Sequence, residues 1–106
     1  MIYELRTYAI KPAQLATYLK LWEDKGMLVR KDNQYGQLLG FWVSEFGQLN
    51  QVVHLWCYPS LNERSSIRAA LMRDQRWTQE FLPLAFPMID HMQSNILNAT
   101  SFSPMQ

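Results

Sequence analysis

The sequence predicts an α+β domain of ferredoxin-like βαββαβ order, in which one antiparallel sheet is backed by helices. Three observations carry this. Two apolar runs rich in β-branched and aromatic residues, Leu38 to Val43 and Val52 to Tyr58, flank the turn-prone Gly47 and read as a hairpin. Pro59 then ends the second run, and Ser60-Leu61-Asn62-Glu63 matches a capping box, so a helix starts at about Leu61. A strand and an amphipathic helix precede the hairpin, and strand character returns after residue 89.

In order, Ile2 to Ile10 forms the first strand, with Ile2, Glu4, Arg6 and Tyr8 on one face and Tyr3, Leu5, Thr7 and Ala9 on the other. Pro12 suits a helix's first turn, and Leu15, Leu19, Trp22, Gly26 and Val29 follow at four-three-four-three spacing, giving a helix of about 18 residues. Gly26 weakens that helix by about 0.8–1 kcal/mol relative to alanine, which predicts close approach of another backbone. Arg30-Lys31-Asp32-Asn33 is expected to end the helix in solvent, and Tyr35-Gly36 turns into the hairpin. Beyond it, Leu61, Arg64, Ile67, Arg68 and Leu71 mark a second helix. Asp74 is placed to cap a third segment with Trp77, Phe81 and Leu84 on its stripe, kinked or stopped by Pro83 and Pro87. Residues 89 to 100 read as the last strand, and Ser101 to Pro104 as a short tail.

At 106 residues this is one domain, 1–106, in a size range that buries roughly 60–70% of its unfolded surface. The single Cys57 lies in an apolar strand and reads as a small buried hydrophobe, which fits a reducing compartment. A net charge of +1 with acids and bases interspersed leaves no basic stripe for phosphate, so nucleic acid is not an expected partner. No apolar run reaches the ~20 residues that span a bilayer, and Met1 to Tyr8 has neither part of a signal peptide. No membrane association and a cytoplasmic location are expected.

Two helices cover only one sheet face, whereas the hairpin is apolar on both. Exposing Phe41, Trp42, Trp56 and Tyr58 would leave a patch larger than monomers usually carry, so a second copy laid sheet to sheet is expected. The predicted pocket lies between those sheets, with aromatic walls and a few polar groups that include Glu4 and Arg6.

The chain also resembles the NIPSNAP family, whose members adopt a dimeric α/β barrel. The resemblance rests on MIYELRTY followed by a Lys-Pro helix start, on GQLLGFWVSEFGQLNQVVHLWCYPSLNER and on RAALMRDQRW, which together span nearly the whole chain. Gln34-Tyr35 and Pro83-Leu84-Ala85-Phe86-Pro87 depart from the pattern. The resemblance implies the fold and the homodimer. It implies no reaction, since the family has no assigned chemistry and its barrel relatives range from cofactor-free monooxygenases and isomerases to haem-binding proteins.

The candidate ligand-binding residues are Glu4, Arg6, Tyr8, Trp42, His54 and Trp56. Glu4 and Arg6, two apart on one strand face, read either as a structural ion pair or as an anion holder. His54 reads either as a neutral, satisfied histidine or as a general base; His54 and Arg6 are the catalytic candidates. A two-residue loop at Gly47-Gln48 would pair Trp42 with Val53, whereas a three-residue loop would pair it with His54, and the longer loop is the expectation here. Arg64 and Arg68 are expected to pair with Glu63 or a partner subunit. With only His54 and His91, no Cys-x-x-Cys and no glycine-rich phosphate loop, neither metal nor other cofactor is expected. These features frame three functions: a homodimer holding a small hydrophobic or acidic molecule, a cofactor-independent monooxygenase or isomerase with His54 as base and Arg6 as anion stabiliser, or a protein-interaction adaptor.

Overall fold

The protein's structure, a computed structural model, describes residues 1–106. Four antiparallel strands, β1 (Ile2–Ile10), β2 (Gln37–Val43), β3 (Gln51–Tyr58) and β4 (Ile89–Leu97), form one sheet in the order β2-β3-β1-β4. Helix α1 runs through Leu15–Leu21, a π-helical turn at Trp22–Gly26 and Met27–Val29. Helix α2 spans Leu61–Leu71, and α3 joins a π-helical stretch, Arg76–Phe81, to Leu82–Ala85 and a 3-10 turn at Phe86–Met88. The predicted βαββαβ order with a split third helix is therefore present, and β4 stops three residues short of its expected end.

Alternation along the strands decides what the helices cover. The even-numbered residues of β1 and β3 lie under the helices, where Tyr8, Ile10, Val52, Trp56 and Tyr58 pack with Tyr18, Trp22 and Val29 of α1, Leu71 of α2, and Trp77 and Phe81 of α3. Rings meet mostly edge to face: the Trp22 centroid lies 4.9 Å from Phe81, 5.4 Å from Phe41 and 5.7 Å from Trp77. The odd-numbered residues form the other face, which no helix covers.

The caps are built by the expected residues. The Ser60 hydroxyl accepts the Glu63 N–H at 3.1 Å, and Asp74 Oδ1 accepts the Arg76 N–H at 3.0 Å while the Trp77 and Thr78 N–H groups reach the Asp74 carbonyl. Three local expectations change. Pro12 lies before α1, in a turn where Ala13 takes φ 67°, so it does not belong to the first helical turn. The π-helical stretch of α3 adds a residue, so that Ala85 rather than Leu84 follows Phe81 into the core and Leu84 is 52% exposed. Arg30, expected in solvent, is buried beneath the end of α1.

Gly26 is tightly enclosed, but by side chains rather than by another backbone. A Cβ there would stand 2.5 Å from Trp22 Cε3 and 2.9 Å from Phe81 Cε1. Helix propensity alone would make Gly26→Ala stabilising by about 0.8–1 kcal/mol, but displacing two core rings costs about 1–3 kcal/mol. Gly26→Ala is therefore expected to lower the urea midpoint at unchanged slope, and a raised midpoint would show that the rings move freely.

Candidate functional site

The polar side chains of the helix-covered face centre on Glu4, which is fully buried. Glu4 Oε2 accepts from Arg6 Nη1 at 2.8 Å, Arg64 Nη2 at 2.7 Å and Ser94 Oγ at 2.5 Å, while Oε1 accepts from Arg64 Nε at 3.0 Å. Arg6 Nε donates to the Tyr8 hydroxyl at 2.7 Å. One carboxylate thus ties β1 to α2 and to β4. Burial by itself would raise its pKa, but hydrogen bonds from Arg64 and Ser94 and the charges of Arg6 and Arg64 outweigh burial and hold it at about 2.

His54 stands across the ladder from Arg6, is 1% exposed and stacks on Phe41 with ring centroids 4.7 Å apart. Its Nδ1 accepts the Trp56 indole N–H at 2.6 Å, which leaves the proton of the neutral ring on Nε2, buried without a partner. Burial first, then the positive charges of Arg6 and Arg30, push its pKa down to about 3. His54 is neutral at physiological pH and only weakly basic, which suits a core residue better than a general base.

The structure brings Glu4, Arg6, Tyr8, His54 and Trp56 together on one face: spacing groups the first three on β1 and the last two on β3, and the register that sets Arg6 opposite His54 joins the two groups. That face is the one under the helices, which corrects the expectation that Glu4 and Arg6 line a space between two sheets. Trp42 is separated from the rest: it pairs with Val53, and Phe41 takes the place opposite His54. This is the register expected of the shorter loop, although the last ladder bond, Ser44 N–H to the Gln51 carbonyl, leaves a longer open tip. A shift in pairing between Leu38 and Gly40 adjusts the register further down the hairpin. Arg64 pairs with Glu4 rather than with Glu63. Ser94 and Tyr18, both part of this neighbourhood, escaped the sequence reading; Tyr18 lies one turn before Trp22 on α1 and could have been found there, whereas nothing in the sequence marks Ser94.

The uncovered face carries Leu5, Val53 and Leu55, half-buried, with Trp42 53% exposed and Leu97 41% exposed. The C-terminal segment crosses one end of it, where the Tyr3 hydroxyl donates to the Gln106 carbonyl. Beneath that segment lies a cleft of about 300 Å³ lined by Tyr3, Leu55, Leu97, Ala99, Thr100 and Met105, among others. His91 lies on exposed β4, and no group of three His, Cys, Asp or Glu side chains is arranged to hold a metal. Cys57 is buried and unpaired, with Sγ 3.3 Å from Met1 Sδ.

These placements fix the acid response. The Glu4 carboxyl titrates near 2 in the folded chain against 4.5 when free, so its contribution is complete above pH 4.5 and is lost as pH falls toward 2. His54, about 3 against 6.5, must stay neutral to remain buried, so its contribution is complete above pH 6.5 and declines from there toward pH 3. Urea midpoints are expected to fall progressively below pH 6.5, and His54→Phe to flatten the curve between 6.5 and 4.5. A variant that follows the original curve would remove His54 as the cause. At neutral pH, Glu4→Gln is expected to cost about 3 kcal/mol by leaving Arg6 and Arg64 without their anion, read from the same denaturation curves.

Comparison with known proteins gives the family. The NIPSNAP family model matches residues 3–104. The chain is 33% identical over 97 residues to Protein NipSnap homolog 3A of Homo sapiens, covering 91% of this chain and 38% of that protein. It is 35% identical over 105 residues to Protein NipSnap of Drosophila melanogaster, covering 99% and 37%. The chain thus spans little more than a third of the length of these relatives. Among solved structures, a NIPSNAP family protein of unknown function from Agrobacterium tumefaciens superposes with a TM-score of 0.93 at 40% identity, covering 100% of this chain and 94% of that one. A NIPSNAP domain protein from Burkholderia xenovorans gives 0.91 at 35% identity, covering 98% and 99%. An antibiotic biosynthesis monooxygenase gives 0.64 at 17% identity, covering 94% and 99%, a likeness of fold alone. The match of the family model over nearly all of the sequence, together with these relatives, makes this chain a member of the NIPSNAP family.

Proposed function

We propose that the protein works as a cytoplasmic homodimer, paired through its uncovered sheet faces, that holds a small and largely apolar molecule between them. The observation that carries this reading is the uncovered face itself. Its apolar side chains, Leu5, Trp42, Val53, Leu55 and Leu97, have no helix to pack against, and a two-fold copy is the commonest way to bury such a face. The adjoining cleft has apolar walls from Leu55, Leu97 and Met105 and a few polar groups from Tyr3, Thr100 and Ser103, the composition of a small-molecule site. The ligand-contacting residues in this reading are therefore Trp42 and the odd-numbered residues of β1 and β3. Glu4, Arg6, Tyr8, His54 and Trp56 support the sheet from behind. No helix is long and apolar enough to cross a membrane, and the one thiol, Cys57, is free, in keeping with a reducing compartment.

Geometry favours binding over catalysis through His54. A general base must reach a substrate proton, and His54 is enclosed by Phe41, Trp22, Trp56 and Tyr8 with its Nδ1 already engaged. Arg6, the proposed anion stabiliser, is held by Glu4 and Tyr8.

Sedimentation equilibrium is expected to return twice the chain mass at micromolar concentration. Calorimetric or intact-mass screening against hydrophobic acids and quinols is expected to yield at least one ligand. Leu55→Arg places an unpaired charge in the centre of the face, raising the dimer dissociation constant by roughly a hundredfold or more and removing ligand binding with it. A monomeric native protein, or a dimer that Leu55→Arg leaves intact, would overturn the pairing. A dimer that takes up none of the screened compounds would overturn the binding.

A further inference from the structure

The uncovered face carries no charged side chain. It comprises the odd-numbered residues of β1 and β3 together with the residues opposite them in the ladder, alternate positions from His91 to Leu97 on β4 and Gln37, Gly40 and Trp42 on β2. None of the chain's ten Lys and Arg or nine Asp and Glu is among them. Glu4 and Arg6 fall on the other side of the sheet, and Asp90 stands at the shift in pairing where β4 begins. The polar members of the face are amides, hydroxyls, the Cys57 thiol and His91, which lies at the end of β4 away from the cleft. A copy paired through the same face brings the same side chains and adds no charge. A charged molecule held there would be taken out of water with no ion to oppose it, which is costly.

The hydroxyls of the cleft narrow the ligand further. Among its polar walls, Asn98 and Thr100 are exposed, whereas Tyr3 is buried and Ser103 half-buried. Both of these less exposed hydroxyls have committed their protons to main-chain carbonyls, Tyr3 to that of Gln106 and Ser103 Oγ to that of Met105 at 2.7 Å. A hydroxyl whose proton is engaged has only lone pairs left to offer. A carboxylate accepts and does not donate, so it would set lone pair against lone pair; an alcohol or phenol brings the missing proton. The cleft's volume of about 300 Å³ lies at the lower end of small-molecule sites, room for one ring with a short chain.

We infer that the molecule held at this face is an uncharged alcohol or phenol on a small apolar body, which packs on Leu55, Leu97 and Met105 and donates its O–H to the hydroxyl oxygen of Tyr3 or Ser103. This rests on the reading of the uncovered face as a ligand site and gives that ligand a chemical class: of hydrophobic acids and quinols, the quinols fit and the acids do not.

Three probes of one shape test it on the intact protein: para-propylphenol, uncharged at neutral pH with a proton to donate; para-propylanisole, uncharged with none; and para-propylbenzoate, an anion that only accepts. Titration is followed by the amide resonances of Leu97, Ala99 and Thr100. Saturable shifts are expected with the phenol, binding about tenfold weaker with the ether, the net worth of one hydrogen bond, and no saturation with the benzoate. Of Tyr3→Phe and Ser103→Ala, at least one is expected to bring the phenol down to the affinity of the ether while leaving the ether unchanged. A benzoate or ether that binds as tightly as the phenol, or a phenol that neither variant weakens relative to the ether, would overturn this inference and leave the ligand site standing. Resonances that none of the three probes moves would overturn the ligand site, and this inference with it.

Discussion

A single buried carboxylate organises the architecture. Glu4 lies on a central strand and accepts hydrogen bonds from Arg6 on that strand, from Arg64 on α2 and from Ser94 on β4. Removing an ion from water is costly, so such a group persists only where its oxygens are fully engaged. Here three elements, distant in sequence, each contribute a donor, and their relative placement is constrained by one side chain. The same arrangement positions Arg6 to brace Tyr8 and brings positive charge near His54, adding to the burial that chiefly keeps that imidazole neutral.

Around this ionic centre the core is aromatic to an unusual degree for a chain of 106 residues. Trp22 contacts Phe41, His54, Trp56, Trp77 and Phe81, so α1, α3 and the sheet meet on one indole. Large rigid side chains bury much surface for few rotatable bonds, and Gly26 leaves the space into which Trp22 and Phe81 close. The π-helical turns in α1 and α3 belong to the same packing problem. Each lies where a tryptophan and its neighbours must face the sheet, and the additional residue per turn rotates the following side chains.

The two faces of the sheet therefore have different duties. Under the helices, polar groups are absorbed into closed pairs and the interior is filled. On the far side the apolar residues remain without cover. This NIPSNAP chain places its chemistry-bearing residues where they stabilise the fold, and its uncovered face carries side chains that look unremarkable in sequence. The exceptions on the covered side are single buried donors without an acceptor, Trp22 Nε1, Arg30 Nε and His54 Nε2.

The sequence alone determined the order of elements, the caps at Ser60 and Asp74, and the grouping of Glu4, Arg6 and Tyr8 on one strand face, and it offered an ion pair as one of two readings of Glu4 and Arg6. These follow from local rules: strand alternation, side-chain acceptors at helix starts, and the cost of leaving a charge unpaired. It also identified the family, through motifs spread along the chain. Tertiary structure decided which strand face the helices cover, since alternation is symmetric and gives the same pattern whichever side is chosen. It decided that Trp42 opposes Val53, because hairpin register depends on how the strands pair and not on the turn residue alone. It decided that Arg64 turns inward to Glu4 and that Arg30 lies over Trp56, because both contacts join residues far apart in the chain, and only folding shows a long cationic side chain where its nearest aromatic surface and its nearest anion are.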